Sequence, residues 1–174
     1  MFQRQVLIAM VVAGISGAGA FAASVPASDS QFMRKAAEGG LAEVKLGELA
    51  KEKASSATVK KFGEHMVSDH SKANEKLKTL AGTKGVTVPD SMNAKDKALY
   101  DRLSKLSGAA FDRAYINAMV KDHEEDVAEF RKESQSAKDA DVKEFASTTL
   151  PTLEDHLRMA KDAASQVSAA TSSK

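Results

Sequence analysis

Apolar residues return every three or four positions along most of the chain, the mark of amphipathic helices. From Asp29 to Ala54 the stripe is Phe32, Ala36, Gly40, Gly47, Ala50 and Ala54, and Ser28 with Gln31 has the spacing of a capping box. Ser55-Ser56 offers a cap for a second stripe, Val59, Phe62, Met66, Ala73, Leu77 and Leu80, that stops near Gly82. With almost no loop between them, these two helices predict an antiparallel hairpin. Gly85 to Pro89 reads as a linker, and Asn93 with Asp96 caps a short helix running to about Leu106. After a break at Ser107-Gly108, Phe111, Tyr115, Met119, Val127 and Phe130 stripe another long helix, which fades through Ser134-Gln135-Ser136. The last stripe is Val142, Ala146, Leu153, Leu157, Ala160, Ala164 and Val167, with Pro151 inside it, where a missing backbone donor predicts a bend. Each helix is apolar on one side only, so the four long ones must share a core. The pattern predicts an all-α, up-and-down four-helix bundle over residues 29–168 with one extra short helix between helices two and four. Residues 169–174 are expected to be a disordered tail.

Residues 1–22 follow a different pattern. Arg4, then the apolar stretch Val6 to Ala13, then small residues ending in Ala20-Phe21-Ala22 is the order of a secretory signal peptide, with cleavage expected after Ala22. Gly14, Ser16, Gly17 and Gly19 dilute the stretch as a membrane anchor, and no transmembrane span or barrel alternation is expected in the mature chain. The expected location is the periplasm.

Charge narrows the partners. The chain carries 25 Lys+Arg against 24 Asp+Glu, and removal of Arg4 with the signal would leave the two in balance, so no nucleic acid partner is expected. Cys is absent, which excludes disulfides, thiolate ligands, a Cys nucleophile and a lipidated cysteine. No Gly-x-Ser-x-Gly elbow or Gly-rich phosphate loop occurs, and nothing points to an enzyme.

Four polar residues intrude on the inner stripes: Glu43 on the first helix, His70 on the second, His123 on the fourth and His156 on the last. Each sits near the middle of its helix, so antiparallel packing would gather all four in one layer. Buried charge and unpaired imidazole are costly, so these groups should satisfy one another or a bound ion. Three imidazoles and a carboxylate suit one transition-metal ion, Zn, Cu, Fe or Ni; the alternative is a metal-free Glu–His layer that fixes helix register. An aspartate precedes every one of these histidines. Asp69 and Asp122 are candidates to orient a ligand imidazole from a neighbouring helix, Asp155 points outward, and Asp126, three residues after His123, is a reserve ligand. His65 falls on a flank, and Met66 and Met119 read as core filler. Gly39, Gly40 and Gly47 weaken the first helix, which predicts close approach of a neighbour beside Glu43. An echo between Met66-Val67-Ser68-Asp69-His70 and Met119-Val120-Lys121-Asp122-His123 suggests a duplicated hairpin.

The segments Glu43 to Ala50, Met66 to His70, Tyr115 to His123 and Leu150 to Leu157 together resemble the bacterial domain of unknown function 4142 family. The resemblance spans nearly the whole mature chain. It implies a ferritin-like bundle in the cell envelope, often described as a predicted outer membrane protein, and no established reaction. Outer-membrane association is therefore a possibility, although a chain without lipidated cysteine or barrel pattern fits the periplasm better. Ferritin-like di-iron proteins use Glu-x-x-His on two helices, whereas Val67, Val120 and Leu153 stand three residues before the histidines here. A mononuclear site, or none, is the expectation.

Two functions follow. One is an exported bundle that binds a transition metal through Glu43, His70, His123 and His156, for metal handling or envelope stress protection. The alternative is a non-catalytic structural or interaction module with an envelope protein partner. Oligomeric state is open.

Overall fold

The computed structural model describes residues 24–172, and the expected signal segment, Met1 to Ala22, lies outside the described residues. Within them the chain forms five α-helices: α1 (Ala27–Lys53), α2 (Ala57–Thr83), α3 (Ala94–Leu103), α4 (Gly108–Ser136) and α5 (Ala140–Ser172). Among the described residues there is no strand, and no helix is long and apolar enough to cross a membrane. The Ser56 hydroxyl accepts from the amide of Val59 and the Asn93 side chain from that of Asp96, so both caps form where polar residues precede the stripes. The Ser28–Gln31 box does not. α1 starts at Ala27 behind Pro26, which places Ser28 inside the first turn, where its hydroxyl donates to Asp29. α5 runs unbroken through Pro151 and stays helical to Ser172, into the stretch expected to be a tail.

Contacts fix the helix directions. Along α1 and α2, Glu43 meets His70 while Gly47 meets Met66, so the two run antiparallel. The pairs Lys35–Glu129 and Glu43–His123 show the same for α1 and α4. Thr58–Gln166 with Asp69–His156 shows it for α2 and α5, and Glu124–Lys161 with Arg131–Glu154 for α4 and α5. It follows that α2 and α4 point the same way across a diagonal. The expected up-and-down order is thus corrected to up, down, down, up. A helix of 27 residues is about 40 Å long, and the segment between α2 and α4 must return over that length. Its helix, α3, packs on α1 and α4 during the return, and Arg34 holds the carbonyl of Thr87.

Two buried aspartates lock the hairpins together. Asp112, near the start of α4, accepts from the amides of Ser55 and Ser56 and from the Ser55 hydroxyl in the α1–α2 turn. Asp29, near the start of α1, accepts from the amides of Lys138 and Asp139 in the α4–α5 turn. Each hairpin's first helix therefore ties down the other hairpin's turn. This reciprocity relates α1 to α4 and α2 to α5, whereas the Met-Val-x-Asp-His echo joins α2 to α4. The echo is not a hairpin repeat in register, because its two copies lie on helices that occupy different places in their hairpins.

Apolar side chains form two separate clusters. One, around Leu46, Phe62, Met66, Phe111, Tyr115 and Met119, fills the end near the α1–α2 turn. The other, around Phe32, Met33, Leu77, Phe130, Phe145 and Leu153, fills the opposite end. Close approach of α1 and α2 beside Glu43 occurs at Gly47 and Gly63: a Cβ on Gly47 would stand 2.8 Å from the Gly63 carbonyl oxygen and 2.9 Å from the Met66 Cβ. Gly40 abuts the Asn74 amide, but Gly39 faces open space, so close packing does not explain that residue.

Gly47→Ala should therefore lower unfolding free energy by about 1–3 kcal/mol through overpacking, whereas Gly39→Ala should raise it by about 0.5–1 kcal/mol through helix propensity. Urea melts of both variants check the contrast, and equal shifts would contradict it.

Candidate metal centre

A polar layer separates the two apolar clusters. It consists of Glu43 from α1, His70 from α2, His123 from α4 and His156 from α5, all buried, with His123 at 0% exposure. The three imidazole ring centres lie 5.2, 5.5 and 5.9 Å apart. One ring nitrogen from each lies within 4.8 Å of the others. The ring of Phe62 stands steeply inclined to His123 and His156, at centre distances of 6.0 and 6.5 Å, and forms an apolar wall.

Every imidazole has one nitrogen tethered. His123 Nδ1 donates to the Met119 carbonyl one turn earlier, at 3.0 Å; a carbonyl only accepts, so the proton sits on Nδ1 and Nε2 carries a lone pair. His156 Nε2 donates to Asp69 Oδ2 across the α2–α5 interface at 3.2 Å, leaving the lone pair on Nδ1. His70 Nδ1 lies 2.7 Å from Glu43 Oε2, and when that carboxylate is ionised the proton is on the ring and Nε2 is free. The three remaining nitrogens, His70 Nε2, His123 Nε2 and His156 Nδ1, are buried without a hydrogen-bond partner, as is Glu43 Oε1. His123 Nε2 and Glu43 Oε1 stand 3.3 Å apart without hydrogen-bond geometry. Two acceptors at that distance repel unless a proton or a cation lies between them.

Burial sets the charge states. It holds the Glu43 carboxyl well above the usual carboxylate range, with Asp122 and Asp96 adding to the shift. It pushes His70 down to about 4 against the pull of Asp122 and Asp69. Burial, joined by His70 and His156, pushes His123 down to about 3. For His156 burial and His70 outweigh Asp69 and bring the value to about 4. The imidazoles are thus neutral at neutral pH, the form in which they bind metals. Asp69 is the exception: burial alone would raise it, but the hydrogen bond from His156 and the nearby Lys72 hold it below the ordinary value.

The sequence-derived set Glu43, His70, His123 and His156 meets at one level. Asp69 holds an imidazole from a neighbouring helix. Asp122 does not; it lies instead beside Glu43 and His123, each offering a ligand atom within 4.8 Å of the others, and burial together with Asp96 raises it to about 6. Asp126 is half-buried and lines a cavity of about 40 Å³ with Glu43, His70 and Asn74. Its carboxyl is raised well above the ordinary range by burial, Glu43 and Asp122. Asp155 is exposed and paired with Arg158, and Met66 and Met119 are core residues. Sequence reasoning missed the Tyr115 hydroxyl, which is buried without a partner and whose pKa burial and Glu43 raise. The available signal was a hydroxyl on an otherwise apolar stripe.

The chain belongs to the family described as a domain of unknown function, DUF4142, whose model matches residues 16–163. No curated protein matches it in sequence. Among solved structures it resembles a DUF305 fragment from Deinococcus radiodurans, with a TM-score of 0.72 and 14% identity over 82% of this chain and 98% of that one. It also resembles CopM in the Cu(II)-bound form, with a TM-score of 0.67 and 16% identity over 79% of this chain and 96% of that one. Likeness at these identities establishes a shared helical fold.

In the ion-free protein each depressed imidazole contributes stability that is full above about 6.5 and is lost as pH falls, toward about 4 for His70 and His156 and about 3 for His123. The raised carboxyls of Glu43, Asp122 and Asp126 act in the opposite sense, losing stability as pH rises through their folded values. Between pH 6 and 4.5, denaturant melts should show wild type losing up to about 1.4 kcal/mol per pH unit more than His123→Gln. Parallel curves would show that His123 is not held neutral.

Proposed function

We propose that this protein is exported to the periplasm and binds one transition-metal ion in its core through His70, His123, His156 and Glu43, serving metal handling or envelope stress protection. The observation that carries this reading is that three buried imidazoles each bring a ring nitrogen within 4.8 Å of the others, while His70 Nε2, His123 Nε2, His156 Nδ1 and Glu43 Oε1 have no hydrogen-bond partner. A metal-free register layer would be expected to pair such atoms with each other, and four remain unpaired.

The ligand chemistry supports a site. Ligands about 2.0 Å from a tetrahedral ion stand about 3.3 Å from one another, and Glu43 Oε1 and His123 Nε2 are 3.3 Å apart. Each ring's other nitrogen is held by a carboxylate or a carbonyl, the outer support that metal-bound imidazoles usually have. An ion bound here would supply the positive charge that four converging acceptors lack. Asp69 and Met119 keep His156 and His123 in the tautomers that present lone pairs inward, an ionised Glu43 does the same for His70, and Phe62 with the two apolar clusters bounds the layer. Zn, Cu, Fe and Ni all suit such ligands, and the fold shared with Cu(II)-bound CopM makes copper the first ion to try. The one long crossover between α2 and α4 fits a ferritin-like four-helix bundle.

Elemental mass spectrometry of untagged protein loaded with Cu(II) or Zn(II) and then desalted tests the reading. One ion per chain is expected in wild type and less than a tenth of that in His123→Ala. Loading at about a hundredfold excess over the dissociation constant should add about 2.7 kcal/mol of stability, which a chelator removes. Absence of bound ion, with the same melting temperature with and without chelator, would leave the structural module as the reading.

A further inference from the structure

The layer assembles a second ligand group that differs in kind from the three imidazoles. Glu43, Asp122 and His123 each place a ligand atom within 4.8 Å of the others. This set has two carboxylates and one imidazole, and it shares His123 with the first. Two of its members point to a ligand independently of their acidity: Glu43 Oε1 and His123 Nε2 are unpartnered on side chains 2% and 0% exposed. His123 Nδ1 is committed to the Met119 carbonyl, so Nε2 is the only atom it can offer to either group.

The two groups draw on different helices around His123. His70 and His156 come from α2 and α5, while Asp122 comes from α4 itself and is half-buried, with Asp96 and Lys95 of α3 acting on it from outside. The ammonium of Lys95 is drawn to Glu125, at 3.4 Å, and does not form an ion pair with Asp122. Carboxylate oxygens favour harder ions of higher charge, whereas neutral imidazoles accept the transition metals generally.

We propose that Glu43, Asp122 and His123 form a second cation position, open to Cu²⁺ and other divalent ions, that overlaps the imidazole-rich position and gives Asp122 a role for divalent ions that it lacks for Cu⁺. The inference rests on the reading of the layer as a metal site and adds a discriminating element to it. Since both positions need Nε2 of His123, they are filled one at a time. Asp122 is then a ligand for one class of ion and a bystander for the other.

Copper is the probe, because one element offers two charge states that differ in ligand preference. Affinities are measured by competition with chelators, for Cu²⁺ in air and for Cu⁺ under anaerobic reducing conditions, in wild type, Asp122→Asn, Asp122→Glu and His156→Ala. Asp122→Asn should weaken Cu²⁺ by about tenfold or more and leave Cu⁺ within about twofold, while Asp122→Glu keeps most of the Cu²⁺ affinity. His156→Ala should weaken Cu⁺ by about tenfold or more and weaken Cu²⁺ less, because Asp122 remains to hold the divalent ion. Ion-free Asp122→Asn should also keep the wild-type helical signal, since Asn matches Asp in shape. If Asp122→Asn leaves Cu²⁺ unchanged, or weakens both ions alike, the second position is refuted while the metal reading stands. If wild type binds neither ion, both fall. Simultaneous binding of two ions per chain would overturn the shared-ligand claim.

Discussion

A surplus of acceptors in a buried layer is the constraint around which the molecule is organised. Glu43 Oε1, His70 Nε2, His123 Nε2 and His156 Nδ1 are buried, and among the described residues none donates a hydrogen bond to them. The donors that the rings possess are spent on Met119, Asp69 and Glu43. Burial favours the neutral forms, which lowers the cost of the layer without removing it. A proton on Glu43 can relieve one contact of the set; a cation can relieve all four atoms at once.

The rest of the fold holds that layer in place. Apolar clusters lie on both sides of it, so the four helices cannot slide by a turn without pushing Phe62 or Phe130 into the polar level. The aspartates at the starts of α1 and α4 clamp the opposite turns, which fixes the height of one hairpin against the other. Gly47 and Gly63 let α1 approach α2 just beside Glu43. Register, hairpin docking and backbone approach thus converge on the geometry of four side chains near the centre.

Much of this was legible in the chain. Helical spacing located all five helices, and the caps at Ser56 and Asn93 follow from local backbone chemistry. The layer residues were visible because Glu43 and His123 replace apolar side chains on inner stripes, and mid-helix placement is enough to bring antiparallel helices to a common level. Topology was not legible: a short helix between two long ones is compatible with either direction of the next, and only Glu43–His123 and Lys35–Glu129 reveal that α4 opposes α1. The tethers of individual nitrogens were equally hidden, since a ring's rotation is set by tertiary contacts such as Asp69 with His156. Nothing in the sequence marks Asp29 and Asp112 as clamps, because their partners lie in turns more than fifty residues away. Asp122 was legible as a support for an imidazole but not in its actual place, because its position beside Glu43 depends on another helix.

X-ray absorption spectroscopy of the Zn(II)-loaded protein in solution tests the central claim most directly, because it reads the atoms around the ion themselves. The account predicts a first shell of nitrogen and oxygen at about 2.0 Å, with outer-shell scattering from three imidazole rings that drops to two rings in His156→Ala. A shell of oxygen alone, or one whose imidazole scattering is unaffected by removal of His156, would contradict it.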